Sequence, residues 1–169
     1  MYNTLQSFPP VIDSTSHTLI LGSMPGRVSL SESQYYAHPR NAFWHIMGAL
    51  YGAGFDRPYQ ERLSILLAHG IALWDVIGEC TRYTSLDADI DESSIIPNDF
   101  VRLLLFHPRI RRIFFNGGKA EQAFKKLVRS GLGDSLDTLS LQKLTSTSPA
   151  NARHSILDKT EMWRIFLDT

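Results

Sequence analysis

Four short apolar runs, separated by segments of helical periodicity, constrain the fold more than any other feature of the chain. The runs cover residues 18–22, 71–76, 112–118 and 138–144, and each ends in a glycine-rich or polar turn. The first and third are nearly continuous in apolar residues, as in strands buried on both faces. Helical spacing of apolar residues predicts helices over 42–50, 58–68, 97–106, 119–128 and 159–167, with Pro97 near the first turn of the third. The alternation predicts an α/β protein, a three-layer α/β/α sandwich with a central four-stranded, mainly parallel sheet.

Length and composition favour one ordinary globular unit. The 169 residues contain 43% hydrophobic and 20% charged residues, and no linker-like stretch divides them. We therefore expect a single domain over residues 1–169. No apolar stretch reaches the roughly 18 residues of a membrane span, and the N-terminus lacks the basic and apolar regions of a secretory signal. These features predict a monomeric, cytoplasmic protein without a membrane partner.

Cysteine and histidine usage argues against a metal site. The lone Cys80 excludes an internal disulfide and a four-cysteine cluster, and we expect it to be a buried or half-buried thiol without a role. The six histidines form no HxH or HExxH pattern. We expect neither a metal nor an organic cofactor.

The charges do not point to one partner class. The formal net charge is zero, which counts against nucleic acid, but binding requires only a basic face. Acidic residues cluster at 87–92, and basic residues gather at 109–112 and 119–129. The basic group predicts either a polarised binding surface or a solvated helix face.

The predicted strand ends identify a crevice. In open parallel sheets, ligands bind at the carboxyl ends of the strands. This rule brings together residues 22–26, 75–76, 116–118 and 145–151.

Four segments, three of them at these strand ends, carry a specific resemblance. Gly22-Ser-Met-Pro-Gly26, Tyr35-Tyr-Ala-His-Pro-Arg-Asn-Ala-Phe-Trp44, Phe115-Asn-Gly-Gly118 and Ser146-Thr-Ser-Pro-Ala-Asn151 occur in the order and spacing of the uracil-DNA glycosylase superfamily. They most resemble its hypoxanthine-DNA glycosylase (DNA-deoxyinosine glycosylase) family, over about residues 18–155. The resemblance implies a monofunctional DNA glycosylase of base excision repair. Such an enzyme hydrolyses the N-glycosidic bond of a flipped-out deaminated base, here hypoxanthine above all, with xanthine or uracil as further substrates.

The position of the usual catalytic residue differs. Relatives carry Asn or Asp in the first turn where this chain has Met24, which can neither orient nor deprotonate water. The resemblance instead implies Asn41 as the catalytic residue. Its amide has no useful protonation equilibrium but can hold a water under the sugar. The alternative is that Asn41 caps the following helix.

Base binding is assigned to the first turn and two further side chains. The backbone of Gly22, Ser23 and Met24 can approach a base closely. The alternative is that this turn only reverses the chain and binds no ligand. Phe43 is the expected stacking platform, although its place in a helical apolar stripe equally predicts a core residue. The Asn116 amide matches N1–H and O6 of hypoxanthine. The alternative is that Asn116 is only a turn residue before two glycines.

DNA contacts are assigned to the last motif. The resemblance implies that this turn holds the phosphates beside the lesion and fills the vacated stack, although it could also cap the next helix. Ala150 stands where relatives carry a wedge leucine and is small, which leaves Asn151 or Arg153 to reach further. The predicted DNA-binding residues are His38, Ser146, Ser148, Pro149, Ala150, Asn151 and Arg153.

Two other function classes fit the same crevice. Met24 also suits an inactive nucleic-acid-binding module, and Asp75 with a histidine suits a small-molecule hydrolase. Tyr35 and Tyr36 are candidates for lining the pocket, and Asp75 ranks below Asn41 as the group that activates water. No lysine occupies a motif position as an amine nucleophile, so no lyase step is expected.

Overall fold

The computed structural model describes residues 4–167, except for the side chains of residues 165 and 166. The strands are β1 (Thr4–Gln6), β2 (Thr18–Gly22), β3 (Ile71–Asp75), β4 (Ile77–Thr81), β5 (Ile96–Pro97), β6 (Arg112–Asn116) and β7 (Ser140–Leu144). The helices are α1 (Arg27–Glu32), α2 (Phe43–Tyr51), α3 (Tyr59–Ala68), α4 (Phe100–Phe106), α5 (Gly118–Leu127) and α6 (Ile156–Leu167).

The central sheet has four strands in the order β3-β2-β6-β7, and every neighbouring pair is parallel. All five residues of β2 and the three central residues of β6 are buried, as their nearly continuous apolar runs predict, and β3 is buried throughout as well. Side chains alternate across the sheet, so Leu19 and Leu21 face one side and Ile20 the other. The predicted α/β class and parallel sheet are confirmed.

Helices cover both faces of this sheet. On one face α4 and α5 contribute Phe100 and Phe124 to a core with Phe115 of β6. On the other face α2 and α6 contribute Trp44 and Trp163. The predicted three-layer sandwich is therefore also confirmed.

Two parts of the fold escaped the sequence analysis. A second sheet of antiparallel strands, in the order β1-β4-β5, and the short helix α1 were not predicted. The predicted start of α4 at Pro97 is wrong, because Pro97 belongs to β5. The helix begins at Phe100, after Asp99 accepts a hydrogen bond from the Arg102 backbone N–H.

The strand ends meet at one edge, as parallel pairing requires. Gly22 lies beside Asp75 in the register of β2 with β3, and Asn116 lies beside Leu144 in that of β6 with β7. Within residues 4–167, no helix has both the length and the apolar character needed to cross a membrane.

Candidate active site

Thr147 joins the predicted catalytic segment to the end of β6. Its carbonyl accepts a hydrogen bond from the Ala42 backbone N–H at 2.9 Å, directly after Asn41. The Asn116 side chain accepts from the Thr147 N–H at 2.9 Å and donates to Thr147 Oγ1 at 2.8 Å. Thr147 is buried, whereas Asn41 and Asn116 are half-buried. The two asparagines therefore lie on the same side of the molecule, with one residue between their segments.

The Asn41 amide is oriented by its own backbone neighbourhood. Its Oδ1 accepts from the Phe43 N–H at 2.9 Å, just ahead of α2. The capping alternative is thus present, although the residue at the helix boundary is Ala42. A carbonyl oxygen has a second lone pair, and the Nδ2 hydrogens have no partner among the described residues. The cap and a water-binding role can coexist.

The predicted contact between the Asn116 amide and the base needs correction. Both polar atoms of its amide already face Thr147, so the edge that would pair with a base is occupied. The same bonds fix the amide orientation. One N–H and one lone pair remain, and they point in different directions.

The predicted stacking role of Phe43 also needs correction. Phe43 is fully buried, and Tyr36 is stacked on it with the ring centroids 4.0 Å apart. Trp44 and Trp163 also contact Phe43, with their ring planes nearly perpendicular to it. Phe43 therefore supports Tyr36 from the core, and Tyr36 itself is only half-buried.

Tyr36 is held in an unusual conformation. Its φ of 55° lies in the left-handed region, which bulky residues rarely adopt. Its hydroxyl is buried beside Asn116, but no bond of acceptable geometry reaches it within the described residues. Burial raises the pKa of Tyr36, so this phenol stays protonated. Strain at a crevice is a common property of functional sites.

Asp75 fills the space that Gly22 leaves open. A Cβ at residue 22 would collide with Asp75 Oδ1 and lie 3.1 Å from the Tyr36 hydroxyl. Asp75 is 3% exposed, and its Oδ2 has no hydrogen-bond partner within the described residues. Burial, followed by the nearby Asp87, raises the pKa of Asp75 to about 8, while Arg82 opposes the shift. Asp75 is therefore mostly protonated at pH 7.

The first turn is supported from beneath by the segment after β4. Ser23 Oγ donates to Asp87 at 2.7 Å, and Arg82 donates to the Pro25 carbonyl at 2.6 Å. The carbonyls of Gly22 and Ser23 accept hydrogen bonds from residues 76 and 77. Burial raises the pKa of Asp87 despite its bond with Ser23. Sequence spacing gave no signal for this contact, because the partners are 64 residues apart.

The turn formed by residues 146–151 presents hydroxyl groups. Ser146 Oγ accepts from the Ser148 N–H, and Ser148 Oγ accepts from the Ala150 N–H, both at 3.2 Å. Each hydroxyl therefore keeps its own hydrogen for an outside acceptor. Asn151 Nδ2 is bound to Thr145 Oγ1 and the Ser146 carbonyl, which commits this side chain to the turn.

The alternative that this turn caps the next helix does not hold. Ser155 and Asp158 form a reciprocal capping box at the start of α6. Ala150 and Arg153 are exposed and Pro149 is half-buried. The turn is thus free for another role, and Arg153 is its longest exposed side chain.

His38 lies beside the catalytic segment. Its Nδ1 accepts from the Arg40 N–H at 3.1 Å, and its carbonyl accepts from the Asn41 N–H. An accepting Nδ1 places the proton of a neutral ring on Nε2. His38 is half-buried, so this N–H can serve as a donor.

Part of the predicted basic group is neutralised. Lys119 and Lys126 pair with Glu92, and Lys125 and Lys143 pair with Glu121. These lysines fit the solvated-face alternative. No group of three or more metal-ligating side chains comes together within residues 4–167, and Cys80 is buried as expected.

The fold and the site define a doubly wound α/β domain with its polar crevice at the carboxyl edge of a parallel sheet. Comparison with known proteins gives the family. The family model of the uracil DNA glycosylase superfamily matches residues 9–168. The chain belongs to this superfamily and is a DNA glycosylase, a hydrolase of N-glycosidic bonds.

Individual relatives cover nearly the whole chain. It is 36% identical over 159 residues to a hypoxanthine DNA glycosylase of Methanosarcina barkeri, covering 94% of each chain. It is also 36% identical over 162 residues to a hypoxanthine DNA glycosylase of Methanosarcina acetivorans, covering 95% of this chain and 97% of that one. The solution NMR structure of a Methanosarcina acetivorans protein assigned to the uracil DNA glycosylases superposes with a TM-score of 0.77 at 35% identity. That match covers 98% of this chain and 97% of the other.

Proposed function

We propose that the protein removes hypoxanthine from DNA in base excision repair, with Asn41 as its catalytic residue. The observation that carries the proposal is the bridge through Thr147, which holds the segments of Asn41 and Asn116 against one crevice. The names of two relatives with 36% identity support the choice of base. The cytoplasmic location and the monomeric state remain predictions from the sequence. A DNA substrate is consistent with the location.

The chemistry proceeds without a strong base. Met24 cannot activate water, and Asp75 is protonated near pH 7. Departure of the base leaves an oxocarbenium-like sugar, which weakly activated water can attack. Asn41 positions that water through the lone pair and the amide hydrogens that its cap leaves unused. The His38 Nε2–H, three residues before this amide, supports the departing base or a neighbouring phosphate.

The base edge is read by Asp75 together with the first turn. A neutral carboxyl group offers one donor and one acceptor, which match O6 and N1–H of hypoxanthine. The missing Cβ of Gly22 brings this carboxyl to the crevice, and its buried Oδ2 has an unmet hydrogen-bonding requirement. Asn116 contributes its remaining N–H or lone pair while it holds Thr147.

The extruded base stacks on Tyr36. Phe43 supports the opposite face of the Tyr36 ring at 4.0 Å and so fixes the plane on which a base would lie. Such stacking contributes about 1–3 kcal/mol per base. Placing the Tyr36 ring against Phe43 requires the strained, left-handed backbone conformation of Tyr36.

The 146–151 turn holds the DNA backbone. The hydroxyl hydrogens of Ser146 and Ser148 are the donors, with Pro149 and Ala150 shaping the contact surface. Asn151 is committed inside the turn, so Arg153 is the residue that fills the vacated stack.

Base release from defined duplexes tests the proposal. Purified protein is incubated with duplexes carrying one hypoxanthine, uracil, xanthine or normal base, and abasic sites are then cleaved with alkali. We expect scission at hypoxanthine to be fastest and to depend on Asn41. Equal rates at uracil would overturn the base preference. Tight binding of the hypoxanthine duplex without base release would instead identify an inactive binding module.

A further inference from the structure

Lys159 is a buried cation in contact with the DNA-binding turn. It lies in the first half of α6 and is 4% exposed. Its Nζ donates to the Asn151 carbonyl at 2.8 Å and approaches the Ser148 carbonyl at 3.4 Å. Both acceptors belong to the 146–151 turn, and the ammonium lies on the inner side of that turn.

The charge of Lys159 has no counter-charge within the described part of the chain. None of the ion pairs formed there includes Lys159. Burial alone lowers the pKa of this ammonium, so no carboxylate offsets the loss of water. An isolated buried charge costs several kcal/mol unless another group compensates it. Lysines on α5 differ, since each has a glutamate partner at the surface.

The outer side of the same turn offers donors to an anion. Ser146 and Ser148 keep their hydroxyl hydrogens, as described above. The charge of a buried cation is screened less than that of an exposed one, so it acts over several ångströms. The turn thus carries hydroxyl donors outside and an uncompensated positive charge inside.

We propose that Lys159 is a phosphate-recognition residue, whose charge is neutralised by a DNA phosphodiester bound on the outer side of the 146–151 turn. It is a positioning residue as well, since its contacts hold the Ser148 and Asn151 carbonyls inward and leave the hydroxyls outward. The inference rests on the proposed function, because it takes DNA as the ligand.

Binding of an uncleavable duplex tests this role separately from base release. The probe is a short duplex with a tetrahydrofuran abasic site, and Kd is measured across a range of salt concentrations. For Lys159→Met, which keeps the side-chain volume, we expect Kd to rise about tenfold at low salt. The slope of log K against log salt should fall by about 0.9, the value for one phosphate contact. Lys159→Arg should restore the slope.

The matched control is Lys126→Met, which also removes one positive charge but from an exposed side chain of α5. Its slope should equal that of the wild type. A purely structural Lys159 would instead give Lys159→Met a lower melting temperature with an unchanged salt slope, and that result overturns the inference. A change in slope in a protein that releases no hypoxanthine would overturn the proposed function and leave the phosphate contact of Lys159 standing.

A second measurement uses the wild-type protein in case Lys159→Met does not fold. The NMR signals of the Lys159 ammonium and its adjacent methylene are followed as duplex is added. We expect them to shift with ordinary DNA and to shift much less when the phosphates flanking the lesion are neutral methylphosphonates. Equal shifts with both duplexes, or none at saturation, would show that the charge meets no phosphate.

Discussion

Asn116 and Thr147 hold each other through two hydrogen bonds, in which the amide accepts from the backbone N–H and donates to the hydroxyl. The pair fastens the last turn of the site to the end of β6. Because the Thr147 carbonyl also accepts from Ala42, the pair sets the distance between the 146–151 turn and Asn41. Thr147 was absent from the predicted site residues, yet three segments of the site depend on it.

Replacing Thr147 tests this junction. Thr147→Val keeps the shape but removes the acceptor of Asn116 Nδ2, so this half-buried N–H loses that partner. We expect the unfolding free energy to fall by about 1–3 kcal/mol and base release to slow. Thr147→Ser keeps the hydroxyl and should retain most of both properties. Urea unfolding and single-turnover rates measure the effects, and equal losses in the two variants would contradict the role of the hydroxyl.

Asn41 carries two separable roles. Asn41→Ala should reduce the single-turnover rate at saturating DNA about 100-fold through loss of the positioned water. It should also cost about 1 kcal/mol of stability, because Oδ1 no longer accepts from Phe43. Asn41→Ser keeps a short acceptor for that N–H, so it should recover stability without recovering the rate. Recovery of both would reduce Asn41 to a capping residue.

Asp75 makes stability and base release depend on pH. Its folded pKa of about 8 lies above its ordinary value of 3.8, so the folded protein holds a proton that the unfolded chain has lost. The contribution of Asp75 to the free energy of unfolding is therefore complete below pH 3.8. It falls as the pH rises toward 8, by up to about 1.4 kcal/mol per pH unit. Asp75→Asn removes this contribution. The free energy of unfolding of Asp75→Asn, relative to that of the wild type, should therefore increase between pH 5 and 7.5, as measured by urea unfolding.

The same substitution separates the two protonation states in catalysis. Above about pH 8 the wild-type carboxyl ionises and loses the donor that we assign to hypoxanthine O6. Release should therefore decline there in the wild type and persist in Asp75→Asn, whose amide always has a donor. Asp87 and Arg82 face Asp75 and remain in both proteins. Identical pH–rate profiles would contradict a role for Asp75 in reading the base.

Tyr36 and Phe43 should respond differently. Tyr36→Leu removes the proposed stacking surface and should weaken binding of lesion-containing duplex by about 1–3 kcal/mol. Tyr36→Phe keeps the ring and should behave like the wild type, since the hydroxyl makes no acceptable bond within the described residues. Phe43→Leu should chiefly lower stability, because Phe43 is fully buried. A larger binding defect in Phe43→Leu than in Tyr36→Leu would restore Phe43 as the platform.

Two adjacent glycines provide a matched pair for the site geometry. Gly117 has a φ of 95°, and a Cβ there would lie 2.9 Å from the Ser146 Cβ. Gly117→Ala should therefore cost more than about 1 kcal/mol and displace the DNA-binding turn, with a loss of duplex affinity. Gly118 opens α5 and has free space around it, so Gly118→Ala should be neutral or stabilising. Equal effects would show that Ser146 moves freely.

Local sequence was sufficient for the layers of the fold. Short apolar runs predicted all four strands of the parallel sheet, and helical spacing predicted α2, α3, α5 and α6 within a few residues. These signals succeed because burial on one or both faces imposes a period on the chain. Pro97 misled the prediction for α4, since proline suits both a first helical turn and an edge strand.

The sequence alone also determined which four segments meet, because parallel strands bring their carboxyl ends to one edge. Only the tertiary structure decided what each side chain does there. Asn116 binds Thr147, Tyr36 covers Phe43, and Asp75 fills the space beside Gly22. These contacts join residues far apart in the chain, and spacing carries no information about which of several polar groups becomes a partner. Burial then sets the protonation of Asp75, and burial is a property of the packed molecule.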